Sequence, residues 1–258
     1  MHYNDDLHDS YLRKNSIHHT FNRAVGLKLA NFLSVQDNLI YNVRGHAIYF
    51  ESGAEIKNLI HNNCIVDIRS CNIDSTDYFP AGIFVQNPDN EIIGNRVSES
   101  DAYGIWYNLP EHPEIRGKVY DLNIWPRHVT LNQCDGNVAH TNQKDGFVIW
   151  PEYSPRETPG IEPLSNPIIA EFKNFLGYNN GGNGAMAYRV GAVQFQDFRV
   201  ANNLLANMEY SYVVNDIADG FAKIVGGWSL GKSANWNSAK LTAASPYGII
   251  LLDLKTFR

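Results

Sequence analysis

The run GHAIYFE, from Gly45 to Glu51, brings together the side chains best suited to chemistry. Glu51 is the best-placed carboxylic acid, because it ends a short aromatic strand and alternation turns it outward. His46 lies at the corner before that strand and could act as a base or a metal ligand. Glycoside cleavage needs two carboxyl groups, and a lyase needs a base. We predict Glu51 and His46 as catalytic candidates, with a structural role at a turn as the open alternative.

This strand belongs to a repeating pattern. Asn38 lies nine residues before Ala47, a small residue that precedes the strand, and the same offset recurs along the chain. The other copies with this offset lead from Asn95 to Gly104, from Asn137 to Gly146, from Phe175 to Gly184 and from Phe198 to Asn207.

Two further copies fit the pattern with altered loops. Asn15 reaches Gly26 two residues late, and Asn63 reaches Gly82 after an insertion of about ten residues. Seven copies separated by about 23 to 42 residues indicate a solenoid.

The repeats predict an all-β fold, a single-stranded right-handed parallel β-helix of about seven to nine rungs with long loop insertions. Short strands alternate in polarity and no helical periodicity extends over more than two turns, so a coil that returns to the same face must stack strand on strand. We expect one domain over residues 1–258. Regular rungs are predicted over about 15–214 and closing or edge strands over about 215–258.

The stack also predicts its interior. Asparagines at the start of successive copies should form a ladder of side-chain amide hydrogen bonds. They are Asn15, Asn38, Asn63, Asn95 and Asn137. Both flanking apolar residues of each strand should point inward: Ile48 and Phe50, Ile83 and Val85, Ile105 and Tyr107, Phe147 and Ile149.

Two outward columns should then run across the copies. The first outward column reads Lys28, Tyr49, Phe84, Trp106, Val148 and Met186, and the second reads Ala30, Glu51, Gln86, Asn108, Trp150 and Tyr188. Aromatic rings flanked by polar groups suit a sugar chain. We therefore predict Tyr49, Phe84, Gln86, Trp106, Asn108, Trp150 and Tyr188 as substrate-binding residues. Alternatively, the segments 109–127 and 151–167 fold back and cover the aromatic rings.

Several stretches resemble one known family. GHAIYFESGAE (Gly45 to Glu55) resembles a Gly-His-x-aromatic-aromatic-x-Glu-Asp-Gly segment of the CEMIP family of hyaluronan-depolymerising proteins, whose relatives include fibrocystin-like cell-surface proteins. IFVQNPDNEIIGN (Ile83 to Asn95) and NVAHTN (Asn137 to Asn142) are similar to further segments. The resemblance implies a right-handed parallel β-helix within a large extracellular or membrane-anchored protein.

Composition narrows the classes of partner. The net charge of −6 without a Lys/Arg cluster disfavours nucleic acid. We predict no direct membrane insertion, because no apolar run is long enough, and the first residues lack the form of a signal peptide. Cys64 and Cys71 flank a short loop and could pair, which would leave Cys134 as a free thiol.

We predict no metal site and no cofactor. His18 and His19 are adjacent, so on a regular strand they should point to opposite faces, and the other histidines lack ligand spacing. Acidic loop residues could hold calcium, but no spaced ligand loop supports this.

Three functions remain open from the sequence. They are a polysaccharide-binding module of glycosaminoglycan-like specificity, a hyaluronan-type depolymerase (hydrolase or lyase), and a structural or adhesive module of a surface coat or filament. Because a solenoid must cover its ends, neighbouring domains or partner chains are also expected there.

Overall fold

The structure, a computed structural model, describes residues 5–73, 75–160, 165–213, 221–231 and 247–253. Within these residues the chain coils through three parallel sheets of eight strands each. Each coil, called a rung here, gives one strand to the first, the second and the third sheet in turn. The predicted parallel β-helix is confirmed, with eight rungs.

The strands of each sheet pair in chain order. The first sheet contains Tyr11–Arg13, Ser34–Gln36, Leu59–His61, Glu91–Ile93, Gln133–Asp135, Ala170–Lys173, Val193–Gln196 and Lys223–Val225. The second contains Ser16–Thr20, Leu39–Arg44, Cys64–Arg69, Arg96–Ser100, Val138–His140, Leu176–Tyr178, Arg199–Ala201 and Trp228–Leu230. The third contains Val25–Leu27, Ile48–Phe50, Ala81–Val85, Tyr103–Tyr107, Phe147–Ile149, Ala185–Tyr188, Ala206–Val213 and Tyr247–Asp253.

Three long connections leave this regular frame. They span residues 70–80 before the third sheet, and residues 108–132 and 150–169 after it. The first contains the short 3₁₀ helix Thr76–Tyr78, and the second contains the antiparallel pair Glu114–Ile115 and Lys118–Val119. Near the start of the chain, Asp5–Asp6 pairs with Ala30–Asn31.

A left-handed residue makes the turn from the first to the second sheet in every rung. Its φ lies between 52° and 67° at Lys14, Asp37, Asn62, Gly94, Gly136, Asn174, Asp197 and Gly226. This conformation bends the chain sharply from one sheet to the next, and Gly, Asn and Asp adopt it at the least cost. Because this residue comes directly before the first residue of each copy, every copy starts at the same position in its rung.

The predicted asparagine ladder follows this turn. The side-chain amide of Asn38 donates to Asn63 Oδ1 at 2.9 Å, Asn63 donates to Asn95 at 3.0 Å, and Asn95 donates to Asn137 at 3.1 Å. Asn15 donates to Asn38 at 3.1 Å. Because Asn38, Asn63 and Asn95 each have an asparagine partner on both sides, the ladder fixes the register of five rungs.

Two shorter ladders were not predicted. At the turn into the first sheet, Asn58 donates to Asn90 at 3.0 Å. At the turn into the third sheet, Asn142 donates to Asn180 and Asn180 to Asn203, both at 2.9 Å.

The inward-facing residues form the core as predicted. Both apolar positions of the third-sheet strands are buried from Ile48 through Ile149. Aromatic packing continues the stack where the asparagines end, since the rings of Phe175 and Phe198 lie 5.2 Å apart. The inner side of the third sheet is therefore filled by the core, and only its outer side can contact the insertions.

The first rung corrects one alignment. Val25 pairs with Ile48 and Leu27 with Phe50, so Ala24 rather than Gly26 lies level with Ala47. The offset from Asn15 is nine residues here too, and the two-residue delay was wrong. Lys28 therefore begins the second outward column, in place of Ala30.

The expectation for His18 and His19 was also wrong. His19 has a φ of 55°, which breaks the strand alternation, and the two Nδ1 atoms lie 2.7 Å apart. The three cysteines are free thiols, so Cys64 and Cys71 do not pair.

The last described rung leaves core positions open. Ile249 and Leu251 pair with the buried Met208 and Tyr210, yet they are 45% and 68% exposed. Partners at the solenoid ends stay a prediction, and so does the single-domain boundary. Parts of the segment 215–258 lie outside the described residues.

Candidate functional site

The second outward column runs across six rungs of the third sheet. Strand register places in one row Lys28, Glu51, Gln86, Asn108, Trp150 and Tyr188. Neighbouring members lie about 4.8 Å apart, the spacing of paired strands. The column changes from charged and amide groups in the early rungs to aromatic rings in the later ones.

The early half of this column lies in a cleft of about 570 Å³. Its lining combines residues of the third sheet and its adjoining turns with residues of the first two insertions: Arg23, Tyr49, Glu51, Ser75, Thr76, Gln86, Asn108, Pro110, Glu111, Glu114, Arg116, Gly117 and Arg127. Four predicted site residues therefore share one cleft: Tyr49, Glu51, Gln86 and Asn108. Three arginines and three glutamates make it strongly polar.

A tight turn after Glu51 anchors the cleft wall. The buried Glu55 carboxylate accepts hydrogen bonds from Ser52 Oγ at 2.7 Å and from the Gly53 amide at 2.9 Å. The Glu114 amide in turn donates to the Ser52 carbonyl at 2.9 Å. This turn thus ties the small antiparallel pair in the insertion to the sheet.

Glu51 is positioned at the edge of the cleft. Its Oε1 accepts a hydrogen bond from Lys28 Nζ at 2.8 Å, and both side chains are partly exposed. Because the Glu51 carboxylate is partly exposed, it can contact a ligand in the cleft while it keeps its ion pair with Lys28.

Aromatic rings in the later half of the second outward column remain accessible. Trp150 is 41% exposed, and its ring packs on Tyr188 with centroids 4.3 Å apart. Tyr212 extends the group, 5.0 Å from Tyr188. The rings form a shallow platform next to Asn108.

The first outward column is covered. Tyr49, Phe84, Trp106 and Val148 are buried and form a second apolar cluster outside the sheet. The ring of Phe84 lies 5.1 Å from Tyr49 and 5.0 Å from Trp106. Phe84 in particular has no exposed surface, so it contacts protein on every side.

An ion pair from the insertion 70–80 closes one end of this cluster. Arg23 donates to Asp77 through Nε at 3.1 Å and through Nη2 at 2.8 Å. The Arg23 guanidinium carbon also lies 3.5 Å from the Tyr49 ring centroid. Gly45 leaves room for this insertion, because a Cβ there would lie 2.7 Å from Asp77 Oδ1.

His46 is buried beneath that ion pair. Its ring lies 4.2 Å from Phe84, its Nδ1 accepts a hydrogen bond from the Ala81 amide at 3.0 Å, and its Nε2 is 3.7 Å from Asp77 Oδ1. Burial, and secondly the charge of Arg23, holds the pKa of His46 well below its usual value. His46 does not line the cleft, and its catalytic role stays a prediction.

A second buried group lies at the same corner, three rungs further. Burial raises the pKa of the Asp145 carboxyl to about 6, and the charge of Glu209 adds to this effect. Tyr103, one rung before it, has its pKa raised to about 12 by burial and by Asp145.

Metal and membrane features are limited within the described ranges. No group of three or more His, Cys, Asp or Glu side chains is placed there to hold a metal ion. Over the same ranges, no helix has the length and apolarity needed to cross a membrane.

Some cleft residues had no signal in the sequence pattern. Arg23, Arg116 and Arg127 lie in turns and insertions, outside the repeating offset. The one available hint was the position of the insertions on the side of the sheet that carries Glu51.

A family model described as CEMIP beta-helix matches residues 1–147. The chain belongs to this family. Fibrocystin-L from Homo sapiens is 33% identical over 233 residues, which cover 90% of this chain and 5% of that protein. This CEMIP beta-helix chain thus spans a small part of the curated relatives it matches.

Two further relatives carry names that describe an activity. The cell migration-inducing and hyaluronan-binding protein from Mus musculus is 26% identical, over 75% of this chain and 17% of that protein. Cell surface hyaluronidase CEMIP2 from Homo sapiens is 24% identical, over 55% of this chain and 12% of that protein.

Proposed function

We propose that this chain is a polysaccharide-binding β-helix module of an extracellular or cell-surface protein, and that it takes an acidic, glycosaminoglycan-like chain along the second outward column. The observation that carries the proposal is the continuity of this column. It leads from Glu51, Gln86 and Asn108 in the cleft to the open rings of Trp150 and Tyr188. Four rung spacings give a path of about 19 Å.

Two kinds of contact support an acidic sugar chain. Exposed rings such as Trp150 stack on the apolar faces of sugar rings, while Gln86 and Asn108 can bind hydroxyl groups. Arginines in the cleft suit carboxylates, because the guanidinium group can donate two parallel hydrogen bonds. The names of the relatives, which mention hyaluronan binding and hyaluronidase, point to the same class of ligand.

Binding of hyaluronan oligosaccharides, followed by calorimetry, tests the proposal. Trp150→Ala should weaken binding about tenfold, since stacking of one ring is worth on the order of 1.4 kcal/mol. Trp228→Ala is the matched control, because Trp228 is similarly exposed at 48% but lies on the second sheet. A glycan array that retains no acidic glycan, or equal losses in both variants, would contradict the proposal.

Depolymerase activity is the second candidate, favoured by the presence of Glu51 with Glu111 and Glu114 in one cleft. A glycosidase needs two carboxyl groups across the scissile bond. Incubation with hyaluronan and measurement of chain length tests this candidate. Glu51→Gln should abolish cleavage, whereas Glu99→Gln, an exposed change on the second sheet, should leave it intact. Unchanged cleavage in Glu51→Gln would refute the role of this acid.

A further inference from the structure

A second left-handed position, at or just beyond the end of the second-sheet strand, turns two consecutive side chains outward in each of the first seven rungs. Its φ lies between 54° and 63° at His19, Asn42, Asp67, Glu99, Thr141, Asn179 and Asn202. In the second rung, Tyr41 and Asn42 lie between the buried Ile40 and Val43. Two neighbouring side chains therefore share the outer face, where regular alternation would separate them.

In the first rung both of these outward residues are histidines. The Nδ1 atoms of His18 and His19 lie 2.7 Å apart, and both side chains are exposed. Within the described residues, neither ring forms another hydrogen bond or an ion pair. The two nitrogens therefore face one another at a surface that an ion can reach from solution.

The ring of Tyr41 orients both imidazoles. Strand register places Tyr41 beside His18 in the next rung. The His18 ring stacks on it with centroids 4.7 Å apart and planes 18° apart, and the His19 ring meets it edge-on at 5.7 Å. Because the stacked ring and the left-handed backbone already restrict both side chains, little freedom is lost when they bind an ion.

The separation of the two nitrogens favours one coordination geometry. Two nitrogens bound at about 2.0 Å lie about 2.8 Å apart at adjacent corners of a square and about 3.3 Å apart in a tetrahedron. The observed 2.7 Å matches the square. Cu²⁺ takes square-planar nitrogen and oxygen ligands and binds such sites more tightly than the other divalent first-row metals, whereas zinc takes the tetrahedron.

We propose that His18 and His19 bind one Cu²⁺ ion through their Nδ1 atoms, with water at the remaining positions. The histidine that donates in the hydrogen bond between the rings carries its proton on Nε2 once its Nδ1 binds the ion. Two protein ligands are fewer than a structural metal centre uses, so the ion exchanges with solution. The site lies on the second sheet, apart from the cleft on the third, and does not depend on polysaccharide binding.

Electron paramagnetic resonance of the untagged 258-residue chain, titrated with CuSO₄ near pH 7, is the first test. We expect one bound equivalent with a tetragonal signal that is split by two nitrogens. His18→Gln and His19→Gln should each weaken binding at least tenfold, as measured by competition with glycine. The control His140→Gln removes a ring from the same column in the fifth rung and should change nothing. Unchanged binding in either first-rung variant, or an equal loss in the control, would overturn the proposal.

The fifth rung offers a matched gain of function. Thr141 has a φ of 59°, and the His140 ring stacks on Tyr178 with centroids 4.6 Å apart, so this rung repeats the first with one histidine missing. His140 Nδ1 lies 3.0 Å from Thr141 Oγ1. Thr141→His should therefore bind a second equivalent of copper with about the affinity of the first. A variant that melts at the wild-type temperature and binds only one equivalent would contradict the proposal, because the same geometry would then fail to build a site.

Substitutions at Tyr41 test its place as a positioning residue. Tyr41→Phe keeps the stacked ring and should leave the copper affinity and the nitrogen splitting unchanged. Tyr41→Ser removes the ring and should weaken binding about threefold to tenfold. Equal weakening in both variants would show that the phenol oxygen is itself a ligand, and the assignment of two histidine nitrogens with water would be wrong.

Discussion

The two outward columns of the third sheet use the same strands and end in different environments. The first, from Tyr49 through Phe84 to Trp106, is buried under the corner residues and the insertion 70–80. The second, from Glu51 to Tyr188, stays open as a cleft and an aromatic platform. Alternation along a strand decides which side a residue faces. The insertions decide which outward residues meet solvent.

Because of this difference in burial, aromatic residues in the two columns have different roles. Rings in the first column contribute stability, because they bury apolar surface against other rings. Rings in the second column are available to a ligand. This difference can be tested by substituting one ring or one charged residue in each column and comparing the changes in the free energy of unfolding.

The largest effect is expected for Phe84→Ala in the first column. Removing this fully buried ring leaves a cavity, and the free energy of unfolding should fall by about 3–5 kcal/mol. Tyr188→Ala, in the second column, should cost about 1 kcal/mol. Urea unfolding followed by tryptophan fluorescence measures both. Similar losses would mean that the two columns are not covered differently.

A somewhat smaller effect is expected for Asp77→Asn, which removes the charge that holds Arg23 over Tyr49. The substitution removes the buried negative charge that pairs with the Arg23 guanidinium, so the free energy of unfolding should fall by about 2–4 kcal/mol. The control Asp89→Asn removes a surface pair with Lys57, worth at most about 1 kcal/mol. Equal losses of stability in the two variants would show that the Arg23–Asp77 ion pair does not stabilise the buried first outward column.

The sequence predicted the features that repeat. Asn38, Asn63 and Asn95 recur at one turn because each donates its side-chain amide to the asparagine of the next rung. The inward residues, such as Ile83 and Val85, follow from the two-residue period of a strand. These features depend on local geometry, which a single sequence carries.

The sequence did not predict what the insertions do. The contact of Arg23 with Asp77 joins residues 54 apart, and no local pattern signals it. The sequence alone misaligns the first rung, because Gly26 resembles the small residue that Ala24 in fact supplies. His19 escaped prediction for a related reason, since its positive φ reverses the alternation on which the assignment of faces rests.

The smallest of these effects is the loss of stability that the buried His46 causes at acidic pH. His46 is buried, and burial, followed by the charge of Arg23, lowers its pKa well below the usual value. Below pH 6.5 the unfolded chain gains a proton at His46 that the folded chain does not, so stability should decrease as the pH falls. The loss attributable to His46 should reach about 1.4 kcal/mol near pH 5.5.

Urea unfolding at pH 7 and pH 5.5 measures this loss, and comparison with His46→Gln cancels the contribution of every other group. The substitution should reduce the pH dependence by that amount, whereas the exposed control His8→Gln should keep the wild-type dependence. An unchanged dependence in His46→Gln would mean that this ring is solvated in the folded chain. The first outward column would then be open at its Tyr49 end, and the two columns would differ less than their burial implies.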